Sequence, residues 1–326
     1  MVNSFSKNEG TVLPESFKPN SDTNIRLRNQ YRNRYRFKPK VKELTICISA
    51  ISEVSSLSPK IILSADKLIS AGIQFEHGYG KIGTVTDYCY VMMATDDALT
   101  GDMIIRETKK QVENKGFPIE EITRILAKVC EKYYQTSIEK NILFKYNLNY
   151  ENFKSKSQDL SPNLIDIIVD EINIFQYDFK AEFIVCGIDT DPHIFVVDQC
   201  GNYKSYDYIG FATIGSGSPL AFSEMTKYSY HPNTQLSMAL ARVYNAKKVS
   251  ERMGGVGRST DLYVLYLTTD KKVVLWKPPE NVEKLLDDGF KTMQTKETDV
   301  YADIIEKINK FFAETPKEKT DETTQS

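Results

Sequence analysis

The stretch Val185-Cys186-Gly187-Ile188-Asp189-Thr190-Asp191-Pro192-His193-Ile194-Phe195-Val196-Val197-Asp198 decides the fold. Two apolar runs rich in β-branched residues flank a polar Asp-Thr-Asp-Pro turn, the pattern of two paired strands. The first run reaches back to Ala181, which predicts strands over 181–188 and 193–198. Gly201-Asn202 then turns the chain into a third strand at Tyr203–Tyr208. Downstream, Phe211-Ala212-Thr213-Ile214-Gly215-Ser216-Gly217-Ser218-Pro219 is an apolar run that ends in a glycine-serine turn.

Working outward toward the N-terminus, Leu44–Ile51 and Lys60–Ala65 read as strands around the Ser-rich turn Ser52–Ser58. Lys81–Ala94 holds two more short strands broken near Asp87. Asp96 and Asp97 stand where an N-cap belongs, ahead of a helical pattern over Ala98–Val112. Pro118 opens a second helix, whose apolar residues Ile122, Ile125, Leu126, Val129, Cys130 and Tyr133 recur at three and four. A helical insertion spans about residues 146–178; within it Tyr146–Asp159 is polar and loop-like, and Pro162 starts a helix over Asn163–Phe175. Toward the C-terminus, Thr234–Ser250 is helical with Thr234 as its N-cap. Asp261–Thr268 and Lys272–Lys277 form a hairpin, and a terminal helix covers Val300–Phe312, with outer bounds of about 298–313. Blocks of strands separated by helix pairs predict an α+β fold: two packed, mostly antiparallel sheets with helices outside.

Lys plus Arg number 42 against 44 Asp plus Glu in 326 residues, a formal charge of −2. That balance gives no global reason to expect a nucleic-acid or membrane partner. At 41% hydrophobic residues the chain has enough apolar side chains for a sizeable core. No apolar run reaches the roughly 18–20 residues of a membrane span, and Met1–Gly10 is polar, so a soluble cytoplasmic protein is expected. The five cysteines (Cys47, Cys89, Cys130, Cys186, Cys200) contain no C-x-x-C pair, and His77, His193 and His231 stand far apart. Neither a disulfide framework nor a metal site is expected, and the absence of G-x-G-x-x-G, P-loop, H-E-x-x-H and G-x-S-x-G motifs predicts no cofactor.

Residues 1–44 read as a flexible extension or propeptide, residues 45–314 as one domain, and 315–326 as a disordered tail. Arg26, Arg28, Arg32, Arg34, Arg36, Lys38, Lys40 and Lys42 follow one another with no acid among them. From Arg32 they alternate with Tyr31, Tyr35 and Phe37, so an extended arm would carry its cations on one side. Such an arm could bind nucleic acid or an acidic surface. A solvated arm or propeptide is preferred, because the rest of the chain is not basic.

The two quoted stretches, together with Leu63-Ser64-Ala65-Asp66-Lys67 and Lys81-Ile82, resemble a proteasome β-type subunit. The nearest likeness is to bacterial proteasome-like proteins, through Thr45–Ile51, Ala65–Glu76 and Ala246–Asp261, so the resemblance covers roughly residues 44–276. It implies the N-terminal-nucleophile (Ntn) hydrolase fold, a four-layer αββα sandwich that assembles into homo-oligomeric rings. It also implies a peptidase in which a threonine hydroxyl attacks the amide while the same residue's free α-amine, with a pKa of about 7.7–8.0, takes the proton. By position, Thr45 would be the nucleophile, Lys81 the ammonium beside it, Asp66 the acid orienting that lysine, and Ser216 part of the proton path. Thr95 stands at the oxyanion-hole position, and Glu251 is the acid that follows the late helix.

Each of these residues has a plainer reading. Thr45 is a β-branched strand residue, Asp66 a turn residue, Lys81 a surface charge, Ser216 part of a tight turn and Glu251 a helix-surface charge. The chain departs from the proteasome pattern in three ways. Leu44 precedes Thr45 where glycine is usual; Thr95 replaces a glycine; Ser250 and Met253 replace an acid and a serine. Gly254-Gly255-Val256-Gly257 follows a helix and precedes a strand, the reverse of a phosphate cradle, and reads as a close-packed turn. Asp261 either starts the next strand or caps that turn. Three functions remain open: a threonine hydrolase freed by loss of residues 1–44, a non-catalytic ring or scaffold subunit whose extension docks a partner, and a nucleic-acid-associated protein using Arg26–Lys42.

Overall fold

The computed structural model describes residues 45–70, 74–76, 80–178, 180–253 and 256–314. The basic arm, the C-terminal tail, His77, Gly254 and Gly255 lie outside them.

Six strands come first: β1 (Cys47–Ser52), β2 (Lys60–Asp66), β3 (Leu68–Ser70), β4 (Gln74–Glu76), β5 (Ile82–Thr86) and β6 (Cys89–Thr95). Helices α1 (Ala98–Val112), α2 (Ile119–Asn141), α3 (Tyr150–Ser155) and α4 (Pro162–Asp178) follow. The chain then returns to strands β7 (Ala181–Ile188), β8 (Pro192–Asp198), β9 (Tyr203–Ser205) and β10 (Phe211–Ile214). Helices α5 (Ser218–Lys227) and α6 (Leu236–Ser250), the hairpin β11 (Thr260–Leu267) and β12 (Val273–Trp276), and helix α7 (Glu280–Glu314) complete it.

Two five-stranded sheets result, ordered β10-β1-β2-β11-β12 and β5-β6-β7-β8-β9, with every ladder antiparallel. Side chains alternate along each strand. Cys47, Ile51, Ile61 and Leu63 of the first sheet therefore pack in one cluster with Met92, Ile184, Cys186 and Ile194 of the second. The alternate residues Ile48, Ile62, Leu262 and Val264 pack on Met225, Leu240 and Val243 of α5 and α6. On the second sheet, Val91, Phe183, Val185 and Val197 meet Ile104, Ile122, Leu126 and Val129 of α1 and α2. The inner strands β1, β2, β6 and β7 are buried on both faces, which is why they read as nearly continuous hydrophobic runs.

Several boundaries differ from the sequence reading. Tyr146–Asp159 is not a loop: it holds the helix α3, flanked by 3₁₀ turns at Leu143–Tyr146 and Ser157–Asp159. Asn149 caps α3 by accepting the Asn152 N–H at 2.7 Å. Leu148 and Phe153 anchor the segment on Ile138, Ile142, Leu143 and Ile168, too few apolar residues to show a period. Ser218–Lys227 is a helix because Pro219 lies in its first turn, where a missing N–H costs nothing. Helix α6 starts at Leu236 with Gln235 at the N-cap; the Thr234 hydroxyl instead accepts the His231 N–H at 3.4 Å. The third strand of the second sheet's hairpins stops at Ser205 rather than Tyr208. Helix α7 begins at Glu280, well before residue 298, nucleated behind Pro279 and anchored by Leu286 and Phe290. Gly289 lies within it with open space where a Cβ would stand. Among the described residues no helix is long and apolar enough to cross a membrane.

Candidate active site

The end of β2 and the start of β1 meet through their antiparallel register, in which Cys47 faces Ala65 and the Asp66 N–H donates to the Ile46 carbonyl at 3.2 Å. Thr45 and Asp66 are therefore neighbours by strand pairing alone. Lys81 immediately precedes β5 and is tied there by the Met93 N–H, which donates to its carbonyl at 3.1 Å. All three side chains converge. The Thr45 hydroxyl donates to Asp66 Oδ1 at 2.8 Å, Lys81 Nζ donates to the same oxygen at 2.7 Å, and Lys81 Nζ also donates to Thr45 Oγ1. The cluster is buried, with Thr45 8%, Asp66 0% and Lys81 7% exposed.

Burying a carboxylate is costly unless donors and a counter-charge replace water. Asp66 has both. Besides Thr45 and Lys81, its Oδ1 accepts the Ile46 N–H at 2.9 Å, and its Oδ2 accepts the Gly257 N–H at 3.1 Å. The opposite wall is the loop after β10. Ser216 Oγ accepts the Thr45 N–H at 2.9 Å, and the Gly217 N–H donates to the Thr45 carbonyl at 3.0 Å. This approach requires Gly215, which has φ +90°; a Cβ there would stand 2.5 Å from the Thr45 carbonyl oxygen. Glu182 of β7 holds the same glycine by accepting its N–H at 3.0 Å.

Four of the residues singled out from the sequence, Thr45, Asp66, Lys81 and Ser216, are thus brought together. Thr95 ends β6, with its hydroxyl on the Asp97 carbonyl at 2.7 Å. Glu251 has no hydrogen bond to Thr45, Asp66 or Lys81 among the described residues. Its carboxylate is held by Lys247 and, at 3.2 Å, by Lys248. Lys247 was not picked out by sequence. It is fully buried and also donates to the carbonyls of Gly257 at 3.0 Å and Arg258 at 2.8 Å. Burial pushes its pKa below the usual lysine value, and the Glu251 carboxylate opposes that shift. The spacing of Lys247 and Glu251, one helical turn apart on a helix legible in the sequence, was the signal that could have found it.

Cys47 lies beside the cluster with its pKa pushed up to about 12, chiefly by burial, so it is a packed thiol and not a nucleophile. Gly257 is a close-packed turn residue: a Cβ would come 2.9 Å from Leu68 Cβ. Asp261 lies inside β11, where its Oδ1 meets Lys67 Nζ at 3.4 Å. The arrangement is chemically that of a hydroxyl held between an acid and an ammonium, with a second hydroxyl on its own backbone nitrogen.

A family model for the proteasome subunit matches residues 143–264. A search of curated proteins finds no match. The matched segment runs from the helical insertion to β11, so it contains Ser216, Lys247 and Glu251 and leaves out Thr45, Asp66, Lys81 and Thr95. Over that segment the chain is proteasome-like.

Proposed function

We propose that the protein is a threonine-type Ntn hydrolase of peptide or amide bonds, whose nucleophile Thr45 is freed by cleavage of the Leu44–Thr45 bond. The observation that carries this reading is the buried contact of Thr45 Oγ1 with both Asp66 and Lys81, while Ser216 Oγ sits on Thr45 N. A four-layer αββα sandwich goes with it, supported by one cluster between the sheets and one between each sheet and its helices.

In the uncut chain, Thr45 Oγ1 adds to the Leu44 carbonyl carbon. The hydroxyl proton passes to the Thr45 nitrogen as the C–N bond breaks, which leaves a free α-amine and a Leu44 ester on Oγ1 that water then hydrolyses. The mature residue then carries an α-amine next to its own hydroxyl, a near-attack arrangement that needs no histidine. The amine takes the hydroxyl proton as Oγ1 attacks a substrate carbonyl and returns it to the leaving amine; water, deprotonated by the same amine, then cleaves the acyl ester, and the proton returns to Oγ1. The Lys81 ammonium stabilises negative charge developing on Oγ1, and Asp66 holds Lys81 in place. The Thr95 N–H is the proposed oxyanion donor, and Ser216 relays protons to the amine. Assembly into a homo-oligomeric ring and a cytoplasmic location belong to the same proposal.

The second reading, a non-catalytic ring or scaffold subunit, is favoured by Leu44 in place of glycine before Thr45. Intact mass and N-terminal sequencing of protein from its own cells separate the two. The hydrolase yields a chain beginning at Thr45 that cleaves peptides, and Thr45→Ala yields only full-length, inactive 37.3 kDa material. Hydrolysis by uncut protein, or full activity in Thr45→Ala, overturns the reading.

A further inference from the structure

The turn that follows α6 is gripped by a lysine that the proposed chemistry does not use. Lys247 Nζ gives its three protons to Glu251 Oε1, Gly257 O and Arg258 O. Two of those acceptors belong to the backbone of one turn. An apolar residue would fill this buried position without the cost of desolvating a charge, so packing alone does not account for a lysine here.

What the turn does accounts for it. The Gly257 N–H donates to Asp66 Oδ2 at 3.1 Å, while Asp66 Oδ1 serves Thr45, Ile46 and Lys81. Displacing the turn by about 1 Å would break the Gly257 bond, leaving Asp66 held through Oδ1 alone and less firmly aligned on Thr45. The Ser250 hydroxyl, three residues after Lys247 on the same helix, shares its proton between the Ala246 carbonyl at 2.8 Å and the Gly217 carbonyl at 3.2 Å, and the Gly217 N–H donates to the Thr45 carbonyl. One helical turn thus braces both loops that meet at Thr45.

We propose that Lys247, neutralised by Glu251, is a positioning residue: it clamps the turn at Val256–Arg258 so that Asp66 presents Oδ1 to Thr45 and Lys81. Its effect on rate rests on the hydrolase reading. Its effect on Asp66 rests only on the hydrogen bonds.

The test uses Lys247→Met and Glu251→Gln expressed as the whole chain, each compared with wild type of the same processing state in the natively folded fraction, with turnover read on the cut form. Hydrogen exchange followed by mass spectrometry reads the clamp whether or not the protein hydrolyses anything. Exchange in peptides covering 45–52 and 256–262 should rise about tenfold in Lys247→Met. For turnover, kcat should fall about 100-fold, as expected for a misplacement of order 1 Å, with KM unchanged within about twofold. Asp66→Asn, which stays uncut, abolishes turnover, and adding Lys247→Met to it should raise exchange over 45–52 no further, because Lys247 acts through Asp66. If Lys247→Met fails to fold, Glu251→Gln carries the test, with exchange in the two peptides raised about threefold and kcat lowered about tenfold. Unchanged exchange in both peptides overturns the clamp. So does faster exchange spread evenly over the chain, the mark of a lysine that serves global stability alone. Wild type that neither matures nor hydrolyses overturns the hydrolase reading and leaves the exchange result to decide the clamp.

Discussion

Lys81 Nζ lies 2.7 Å from Asp66 Oδ1, and both groups are almost fully removed from solvent. The pair is unequal in its supports. Asp66 accepts four hydrogen bonds, from Thr45, Ile46, Lys81 and Gly257, whereas Lys81 Nζ donates only to Asp66 and Thr45 among the described residues. The carboxylate is built into the backbone of two strands and a turn. The ammonium depends on the carboxylate.

That inequality predicts unequal mutants. Asp66→Asn strands a buried ammonium and should cost about 3–5 kcal/mol. Lys81→Met leaves the carboxylate three donors and should cost about 1–3 kcal/mol. Urea unfolding of the two variants checks the order, and equal losses would show that the backbone donors do not support Asp66. Both variants should remain uncut at Leu44–Thr45 by intact mass.

Among the described residues, Ser216 is the only side chain whose hydroxyl accepts the Thr45 N–H. Ser216→Ala should leave melting nearly unchanged, because the site is only partly buried and the lost bond is worth about 1 kcal/mol. The rate of peptide hydrolysis should fall about 100-fold, the typical contribution of a positioned proton-transfer group. A rate within about threefold of wild type would remove Ser216 from the proton path.

Gly215 and Gly116 both have positive φ, +90° and +58° respectively, but differ in surroundings. A Cβ at Gly215 would meet the Thr45 carbonyl oxygen at 2.5 Å and Thr45 Cγ2 at 2.8 Å, while one at Gly116 meets nothing within 4 Å. Gly116→Ala should cost only the left-handed backbone penalty of about 1–2 kcal/mol. Gly215→Ala should cost more than about 3 kcal/mol and displace Thr45, since strain and clash add. Denaturant midpoints rank the two; a Gly215→Ala as mild as Gly116→Ala would mean the loop is looser than its hydrogen bonds to Thr45 indicate.

Local signals made most elements legible. The Asp97 cap is one: its carboxylate accepts the Leu99 N–H at 3.1 Å, at the start of a helix read from sequence over the same bounds. The apolar strands were legible because both of their faces are buried. Of helix α7 only the part from about Val300 was legible; its first turns were not, because charged residues surround their few anchors and Gly289 interrupts the pattern. Within the site, Thr45, Asp66, Lys81 and Ser216 were found by their likeness to a proteasome pattern, since no local periodicity links positions so far apart in the chain. Of the partners of Lys247 only Glu251 left a readable spacing; the other two, Gly257 and Arg258, are backbone carbonyls. A backbone acceptor leaves no residue type to read.

His193 fastens the β7–β8 turn to the segment between β9 and β10. Its Nδ1 lies 2.8 Å from Asp207 Oδ2 and its Nε2 3.3 Å from Asp189 Oδ1, while Asp189 Oδ2 accepts the first N–H of α2, from Ile119, at 2.9 Å. The hydrogen bond to Asp207 raises the imidazole pKa above 6.5, the charges of Asp207, Asp189 and Asp191 add to the rise, and partial burial opposes it. A folded-state pKa above the unfolded value means that folding favours proton uptake. The stabilisation is therefore complete below about pH 6.5 and is lost as pH rises through the folded-state value. His193→Gln, which does not titrate, should melt below wild type at about pH 5.5, and the gap should close by about pH 9. Calorimetric melting temperatures taken across that range check the sign. A gap that stays constant, or widens as pH rises, would show that the imidazole is not held as a cation between the three acids.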